Sequence, residues 1–128
     1  MHKYLNPASV QKSNNFSHGV EVQSPFRWLS VAGQVARDVN GVMPDGIEAQ
    51  ADLAWGNAFA VLKEAGMGAE DIVEVNVYLI NRADNAGFDK VRNKWLGAAK
   101  PASTKVYVSG LSDPKLLCEV QVRAAKAS

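Results

Sequence analysis

Few side chains of this 128-residue sequence combine a reactive group with a position that suggests a site. Glu119 is a lone carboxylate in a run of apolar and neutral residues, so it is either a solvated, ion-paired group or a carboxylate that orients a water molecule. Gly33 lies inside a predicted strand, which indicates either a β-bulge or a close approach of the backbone to a ligand. Arg92 and Lys105 are cations for which an ordinary surface charge is the simpler interpretation and a binding role the alternative.

The usual nucleophiles, bases and metal ligands are scarce. The single cysteine, Cys118, alternates with apolar neighbours and is predicted to be a buried, inert thiol, which excludes an internal disulfide and a cysteine-based zinc site. His2 falls in a predicted N-terminal arm, and His18, as a lone histidine, is predicted to lie at the surface or at a pocket edge. The sequence contains no G-x-x-x-x-G-K-[ST], G-x-G-x-x-G, H-E-x-x-H or G-x-S-x-G motif.

The composition is that of one globular domain spanning residues 1–128, with residues 1–14 as a loose arm. Hydrophobic residues make up 47% and charged residues 21% of the chain. The formal net charge of +1 offers no basic field, so no nucleic-acid partner is expected. The N-terminus has no apolar signal segment, and no apolar run approaches the ~18 residues that a membrane span needs. We therefore expect a cytoplasmic protein without a membrane partner.

The element that must position these residues is a long amphipathic helix followed by a strand. Asp45 and Glu48 form a capping-box pattern at the predicted start of the helix, and Gly66 follows its end at a position that favours a left-handed glycine. Asn40-Gly41 is a turn pair. The apolar positions recur at helical spacing, which predicts one buried stripe: Ile47, Ala51, Ala54, Ala58, Val61, Leu62 and Ala65.

The remaining elements are predicted from the same periodicities. A second helix is predicted over residues 86–98, and strands are predicted over residues 16–23, 26–35, 72–80, 102–108 and 116–125, with a further short strand through Val42. Two helices and about six strands indicate an α+β fold in which both helices cover one face of a mixed, six-stranded sheet. The uncovered face needs a partner, so a homo-oligomer is expected.

Several segments together resemble the RidA/YjgF family of small trimeric proteins. The stretch GIEAQADLAWGNAFAVLKEAG followed by DIVEVNVYL resembles the family pattern E-x-Q…N…L-x-x-A-G…D-V-V…Y-L. FSHGV resembles Y-S-x-A-V, and SVAGQV resembles [VS]-S-G-Q-[IVL]. In the tail, PASTKVYVSGL and LLCEVQVRA resemble P-A-R-[ST]-x-V-x-V-x-x-L and [VI]-E-[IV]-x-x-x-A. The resemblance extends from about Phe16 to Ala124.

This resemblance implies a chorismate-mutase-like fold and a homotrimer whose sheets form a central barrel, with a small-molecule cleft at each subunit interface. Active members hydrolyse 2-imino or enamino acids to 2-oxo acids and ammonia, with no metal or cofactor. In those members an arginine pairs with the substrate carboxylate through its two-pronged guanidinium. A glutamate and backbone groups position the attacking water.

The sequence departs from the family pattern at the substrate-binding end. Ser103 stands where the family has its carboxylate-binding arginine, and Phe16 stands where the family has a tyrosine, so its ring cannot donate a hydrogen bond. Glu119 matches the water-positioning glutamate and is the predicted catalytic residue. The residues that the resemblance assigns to substrate binding complete the predicted site: Phe16, Gly33, Arg92, Ser103, Thr104 and Lys105.

Three hypotheses for the function follow. The leading one is a cofactor-independent deaminase that acts on an imine, an enamine or a related small metabolite, with hydrolysis of 2-iminobutanoate and 2-iminopropanoate weakened by Ser103. The alternative is a trimer that binds small molecules or protects proteins without turnover. An endoribonuclease is disfavoured because the charge balance offers no phosphate footprint and His18 is the sole candidate base.

Overall fold

The computed structural model describes residues 2–128, and Met1, the first residue of the predicted loose arm, lies outside the described residues. Residues 2–128 form six strands and two α-helices in the order β-β-β-α-β-α-β-β, with single turns of 3₁₀-helix at Ala69–Asp71 and Arg82–Asp84. The elements, in chain order, are β1 (His2–Leu5), β2 (Gly19–Val22), β3 (Phe26–Val35), α1 (Ile47–Glu64), β4 (Ile72–Leu79), α2 (Asn85–Leu96), β5 (Ala102–Tyr107) and β6 (Cys118–Ala127).

The strands form two separate sheets. The main sheet has four strands in the order β3-β6-β4-β5, and β1 and β2 pair with each other in a two-stranded ribbon. In the main sheet β4 and β5 are parallel, whereas the β3–β6 and β4–β6 pairs are antiparallel. Two helices packed on a mixed sheet confirm the predicted α+β class. The predicted single six-stranded sheet is wrong, because β1 and β2 pair only with each other within residues 2–128.

Two local predictions near the N-terminal half also need correction. His2–Leu5, within the segment predicted as a loose arm, pairs antiparallel with Gly19–Val22. No strand runs through Val42 in the described chain. Instead, the Asp38 carboxylate accepts hydrogen bonds from the backbone N–H groups of Asn40 and Val42, both at 2.9 Å. Those N–H groups are therefore engaged in a local turn and cannot form a strand ladder.

Helix α1 has the predicted buried stripe except at Val61, which is 36% exposed, and it has a different start. Its N-cap is Gly46 at φ +85°, with no side-chain cap, so the predicted Asp45 cap is wrong. Because a positive φ is accessible to glycine, residue 46 turns the chain into the helix. At the other end Gly66 has the predicted left-handed conformation, with φ +71°. Trp55, which the predicted stripe omits, is fully buried with Ala51, Ala54, Ala58 and Leu62.

The helices cover one side of the main sheet, and we call the other side the open face. Helix α1 packs on β3 and β6 and lies beside α2. Alternate residues of β4 and β6 point into this helix-covered core, and their neighbours point to the open face. Residues 2–128 include no helix that is long and apolar enough to cross a membrane. The core side is lined by Val75, Val77, Leu79, Val120 and Val122, and the open face by Glu74, Asn76, Tyr78, Glu119 and Gln121.

Candidate functional site

Glu119 and Gly33, two of the predicted site residues, are in direct contact on the open face. Glu119 lies on β6 opposite Val35 of β3 and Tyr78 of β4. Its side chain extends over Gly33 so closely that a Cβ at residue 33 would lie 2.1 Å from Glu119 Oε2. Only a residue without a side chain leaves room for the carboxylate in this position. The family resemblance assigned each of these two residues to the cleft but did not predict their contact.

A β-bulge in β3 produces this contact. Val31 pairs with Val122 and Gln34 pairs with Val120, so Ala32 and Gly33 together oppose a single residue of β6. Such an extra residue bends the strand and re-aims the side chains around it. The predicted bulge at Ala32-Gly33 is therefore confirmed, and the close approach at Gly33 is made by a protein carboxylate.

Four other predicted site residues line one cavity on the helix side of the sheet, beside the edge strand β5. We call it the α2–β5 cavity, and its volume is about 180 Å³. It lies between helix α2, strand β5 and the loop that precedes β2. Its lining combines one aromatic ring, two cations, one acid and two small polar residues: Phe16, Lys105, Arg92, Asp89, Asn15 and Ser103.

Backbone pairing places the loop and the strand of this cavity side by side. The Ser17 N–H donates to the Pro101 carbonyl at 3.0 Å, and Ser17 also forms an isolated parallel bridge with Ala102. Phe16 is thereby held next to the start of β5. Ser103 pairs with Val75, whose side chain is fully buried in the core, so Ser103 points to the helix side as well.

The two cations of the cavity have different partners. Lys105 donates from Nζ to Asp89 Oδ1 and to Asn85 Oδ1, both at 2.6 Å, so helix α2 supplies both acceptors. Arg92, only 4% exposed, donates to Asn93 Oδ1 at 3.2 Å and to the Asn15 carbonyl at 3.3 Å. Burial lowers the pKa of Arg92 from its ordinary value, and the nearby Asp89 carboxylate partly opposes this effect.

The predicted site residues therefore fall into two groups within one chain. Glu119 and Gly33 belong to the open face, while Ser103 and its cavity neighbours lie on the opposite side. Strand β4 separates β6 from β5, which alone puts roughly 10 Å between Glu119 and the cavity strand. Thr104 is exposed and pairs with Asn76, so it lies on the open face like Glu119 and Gly33 but outside the contact between those two residues.

Sequence reasoning missed two residues of the cavity, Asn15 and Asp89. Asp89 could have been found from helical spacing, since residues 89 and 92 are three apart and lie on one face of a helix. Asn15 could not, because its contribution is a backbone carbonyl that a loop brings to Arg92. Across residues 2–128, no group of three or more His, Cys, Asp or Glu side chains could hold a metal ion.

Cys118 and His18, the two residues with a possible nucleophile or base, do not line the α2–β5 cavity or take part in the Glu119–Gly33 contact, although the His18 ring packs edge-on against Phe16. Cys118 is fully buried, as predicted. Burial, with smaller contributions from the charges of Asp84 and Glu119, raises the pKa of its thiol to about 12. His18 is exposed, as predicted, and its Nε2 lies 2.7 Å from the Gln11 carbonyl. A larger cavity of about 560 Å³, between β1 and the end of α2, contains none of the predicted site residues.

Comparison with known proteins identifies the class to which this fold and site belong. The family model described as Endoribonuclease L-PSP matches residues 7–126. A RutC-family protein from Pyrococcus abyssi is 35% identical over 102 residues, which cover 77% of this chain and 79% of the relative. A RutC-family protein from Pyrococcus horikoshii is 33% identical over the same shares of the two chains.

Solved structures agree. The Rid-family protein YyfB from Yersinia pestis has a TM-score of 0.86 at 32% identity, covering 96% of this chain and 97% of that one. A YjgF/YER057c/UK114-family protein from Mycobacterium tuberculosis has a TM-score of 0.68 at 26% identity, with 85% of each chain covered. The chain therefore belongs to the RidA/YjgF family, whose family model is the Endoribonuclease L-PSP model.

Proposed function

We propose that this protein is a homotrimeric deaminase that hydrolyses a small imine or enamine without a cofactor, in clefts formed between neighbouring subunits. The observation that carries the proposal is the state of Glu119. Its carboxylate is half-buried against Gly33, and no hydrogen bond or ion pair within residues 2–128 engages it, in contrast to Glu74, which pairs with Arg123 on the same face. Both oxygens are free to accept hydrogen bonds from a water molecule.

The hydrolysis needs only a positioned water and a proton acceptor. In the proposed reaction, Glu119 accepts a proton as the water oxygen attacks the imine carbon and the C=N electrons move to nitrogen. The nitrogen takes a proton from solvent, which gives the neutral carbinolamine, and Glu119 then returns its proton to that nitrogen. The C–N bond breaks as the carbinolamine hydroxyl gives its proton to Glu119, so that ammonia and a carbonyl group are released and Glu119 loses the proton to solvent. A single carboxylate serves as base and then acid, and such proton transfer contributes about 10²- to 10⁴-fold to the rate.

The separation of Glu119 from the α2–β5 cavity within one chain is the reason to propose an oligomer. Within one chain, Glu119 and the α2–β5 cavity lie on opposite sides of the sheet, so one molecule does not place its own carboxylate beside its own cavity. The open face carries two large exposed apolar side chains, Trp28 at 51% and Val106 at 41% exposure. Packing this face against another copy would bury both side chains and bring Glu119 close to a neighbour's edge strand.

The direct test is ammonia release from freshly generated 2-iminopropanoate and 2-iminobutanoate, measured above the uncatalysed background. We expect Glu119→Gln to lower turnover by about 100-fold or more, with the trimer intact by light scattering. Glu48→Gln is the matched control, because it removes an exposed carboxylate of α1 that pairs with Lys90. Background rates with the wild type on both imines and on an enamine substrate would overturn the deaminase, and full activity of Glu119→Gln would overturn the role of Glu119.

The second candidate is a trimer that binds metabolites or protects other proteins without turnover. Ser103 and Phe16 favour it, since Ser103 lacks the charge of the arginine and Phe16 lacks the hydroxyl of the tyrosine that the family resemblance places at these positions. A thermal-shift screen followed by turnover assays on each hit separates the two candidates. Ligands that stabilise the protein and are recovered chemically unchanged would support the binding trimer. RNA cleavage that is lost in His18→Ala would instead support a ribonuclease.

A further inference from the structure

Arg92 carries a buried charge for which the described chain provides no anionic partner. The guanidinium is 4% exposed and lines the α2–β5 cavity. Its hydrogen-bond acceptors within residues 2–128 are neutral, the amide oxygen of Asn93 and the backbone carbonyl of Asn15. These two bonds occupy two of the five N–H donors that an arginine presents. Donors and charge therefore remain for a further partner.

The one acid of the cavity is already engaged. Asp89 lies at 2.6 Å from Lys105 Nζ, and no ion pair joins Asp89 to Arg92 within the described residues. Lys105 is held by a second acceptor of the same helix, Asn85, also at 2.6 Å. The cavity thus keeps one positive charge in excess, and that charge resides on the arginine.

This arrangement is unfavourable unless an anion enters. A buried charge without a counter-ion loses hydration that only a paired, hydrogen-bonded partner restores. Burial also lowers the pKa of Arg92, as expected for a cation in a poorly solvated position. A planar guanidinium with unused N–H groups matches a carboxylate, whose two oxygens accept parallel hydrogen bonds.

The dimensions and lining of the cavity restrict the ligand to a small one. Its volume of about 180 Å³ is below the roughly 300–1,000 Å³ of pockets for drug-sized ligands. Phe16 provides an apolar wall and Ser103 a hydroxyl that can donate or accept a hydrogen bond. A short-chain monocarboxylate, with its charged end on Arg92 and a short apolar end on Phe16, has the matching chemistry.

We infer that Arg92, from helix α2, is the residue that binds the substrate carboxylate, and that the site takes short 2-oxo and 2-imino monocarboxylates although Ser103 has no charge. Lys105 is a positioning residue that fastens α2 to β5. The inference rests on the proposed function only for the choice of 2-imino acids as substrates. The charge requirement itself concerns binding and is measured without turnover.

The experiment is calorimetric titration of the trimer with pyruvate and with pyruvamide, a neutral ligand of nearly the same shape. We expect the wild type to bind pyruvate and to bind pyruvamide at least tenfold more weakly. Arg92→Met should weaken pyruvate binding about 30-fold or more, the loss that follows removal of one partner of a buried charge pair. Its binding of pyruvamide should not change, because that ligand has no carboxylate.

Two further variants keep the result interpretable. Arg92→Lys retains a charge, so it should bind pyruvate more tightly than Arg92→Met and discriminate against pyruvamide. Lys90→Met removes an exposed lysine of α2 that pairs with Glu48 outside the cavity, so it should bind pyruvate within about threefold of the wild type. If Arg92→Met does not fold, the ligand pair on the wild type and Arg92→Lys still decides the question.

Three outcomes would overturn the inference: equal binding of pyruvate and pyruvamide by the wild type, unchanged pyruvate binding in Arg92→Met, or a loss in Lys90→Met as large as that in Arg92→Met. Sulfate or phosphate that displaces pyruvate as effectively as acetate would overturn the carboxylate assignment in favour of a general anion site. Pyruvate binding by Glu119→Gln separates this inference from the proposed function. A protein that binds pyruvate through Arg92 but hydrolyses no imine would support the inference and contradict the proposed deaminase.

Discussion

The two sides of the main sheet carry different kinds of site residue. On the open face, Glu119 and Gly33 come from neighbouring strands, and their contact follows from strand register and one bulge. On the helix side, the α2–β5 cavity is assembled from a loop, a helix and an edge strand that are distant in sequence. The open face leaves a carboxylate without a partner, and the helix side leaves a guanidinium without a counter-ion.

The two sides of the sheet therefore offer different chemical groups. The open face offers a group that can orient water, and the cavity offers a group that can hold an anion. Neither side alone has both, so a hydrolytic site built from these residues needs two copies of the chain. The Lys105–Asp89 ion pair belongs to the scaffold of the cavity, because both partners are already satisfied.

The sharpest contrast is between two consecutive residues of β6, Cys118 and Glu119, which point to opposite sides of the sheet. Because the pKa of Cys118 is raised from 9.0 to about 12, the thiolate fraction near pH 8 is about 1,000-fold lower than that of a free thiol. We expect labelling of native Cys118 by a thiol reagent to be slower than in urea-unfolded protein by at least this factor. Rapid labelling of the native protein would show that β6 does not alternate as described.

The same shift predicts the direction of a pH effect on stability. The folded pKa lies above the unfolded one, so this contribution to stability is fully present below about pH 9 and is lost as the pH rises toward about 12. Cys118→Ala removes it, and its free energy of unfolding should fall less steeply than that of the wild type above pH 9. Urea titrations at several pH values measure the difference.

Gly33→Ala tests whether the position of the Glu119 carboxylate on the open face matters for turnover. The new Cβ would lie 2.1 Å from Glu119 Oε2, so the flexible carboxylate must move while the backbone stays in place. We expect turnover of an imine substrate to fall roughly 10- to 100-fold, because misplacement by about 1 Å is enough for such a loss. The melting temperature should change little.

The matched control for that prediction is Gly56→Ala, on the helix side. Gly56 lies within α1, where an added Cβ would be at 3.7 Å from Trp95, an ordinary contact. This variant should keep full activity and gain about 0.5–1 kcal/mol of stability, since alanine is the better helix former. Equal activity of Gly33→Ala and Gly56→Ala would remove the role we give to the Gly33–Glu119 contact.

The smallest predicted effect concerns the scaffold of the cavity. The side chains of Lys105 and Asp89 are 25% and 29% exposed, so their ion pair is neither fully solvated nor fully buried. A double-mutant cycle with Lys105→Met and Asp89→Asn should give a coupling energy of about 1–2 kcal/mol in urea unfolding, between the values for exposed and buried pairs. A coupling near zero would mean that Lys105 is free to bind a ligand.

Much of the fold was predictable because periodicity alone encodes it. The strand over residues 26–35 and the left-handed Gly66 were confirmed, and so was the stripe of α1 apart from the exposed Val61. Pairings of short segments were not predictable, since four residues such as His2–Leu5 carry too little pattern to indicate a partner. The start of α1 was mispredicted because a capping pattern at Asp45 does not exclude a glycine cap one residue later.

The site residues also divide into features that the sequence predicts and features that depend on long-range contacts. The sequence by itself determined the family, through motifs spread along most of the chain, and the helix and strand periods, which depend on neighbours close in the chain. It left open whether Gly33 marks a bulge and whether Glu119 is ion-paired. Only the tertiary structure decided that Arg92 is buried without an ion pair while Lys105 is paired. These facts depend on the contact of Arg92 with the loop at Asn15 and on the contact of Lys105, on β5, with Asp89 of α2. The sequence shows which residues are charged, but whether a buried charge has an ion-pair partner depends on the side chains that the fold packs around it.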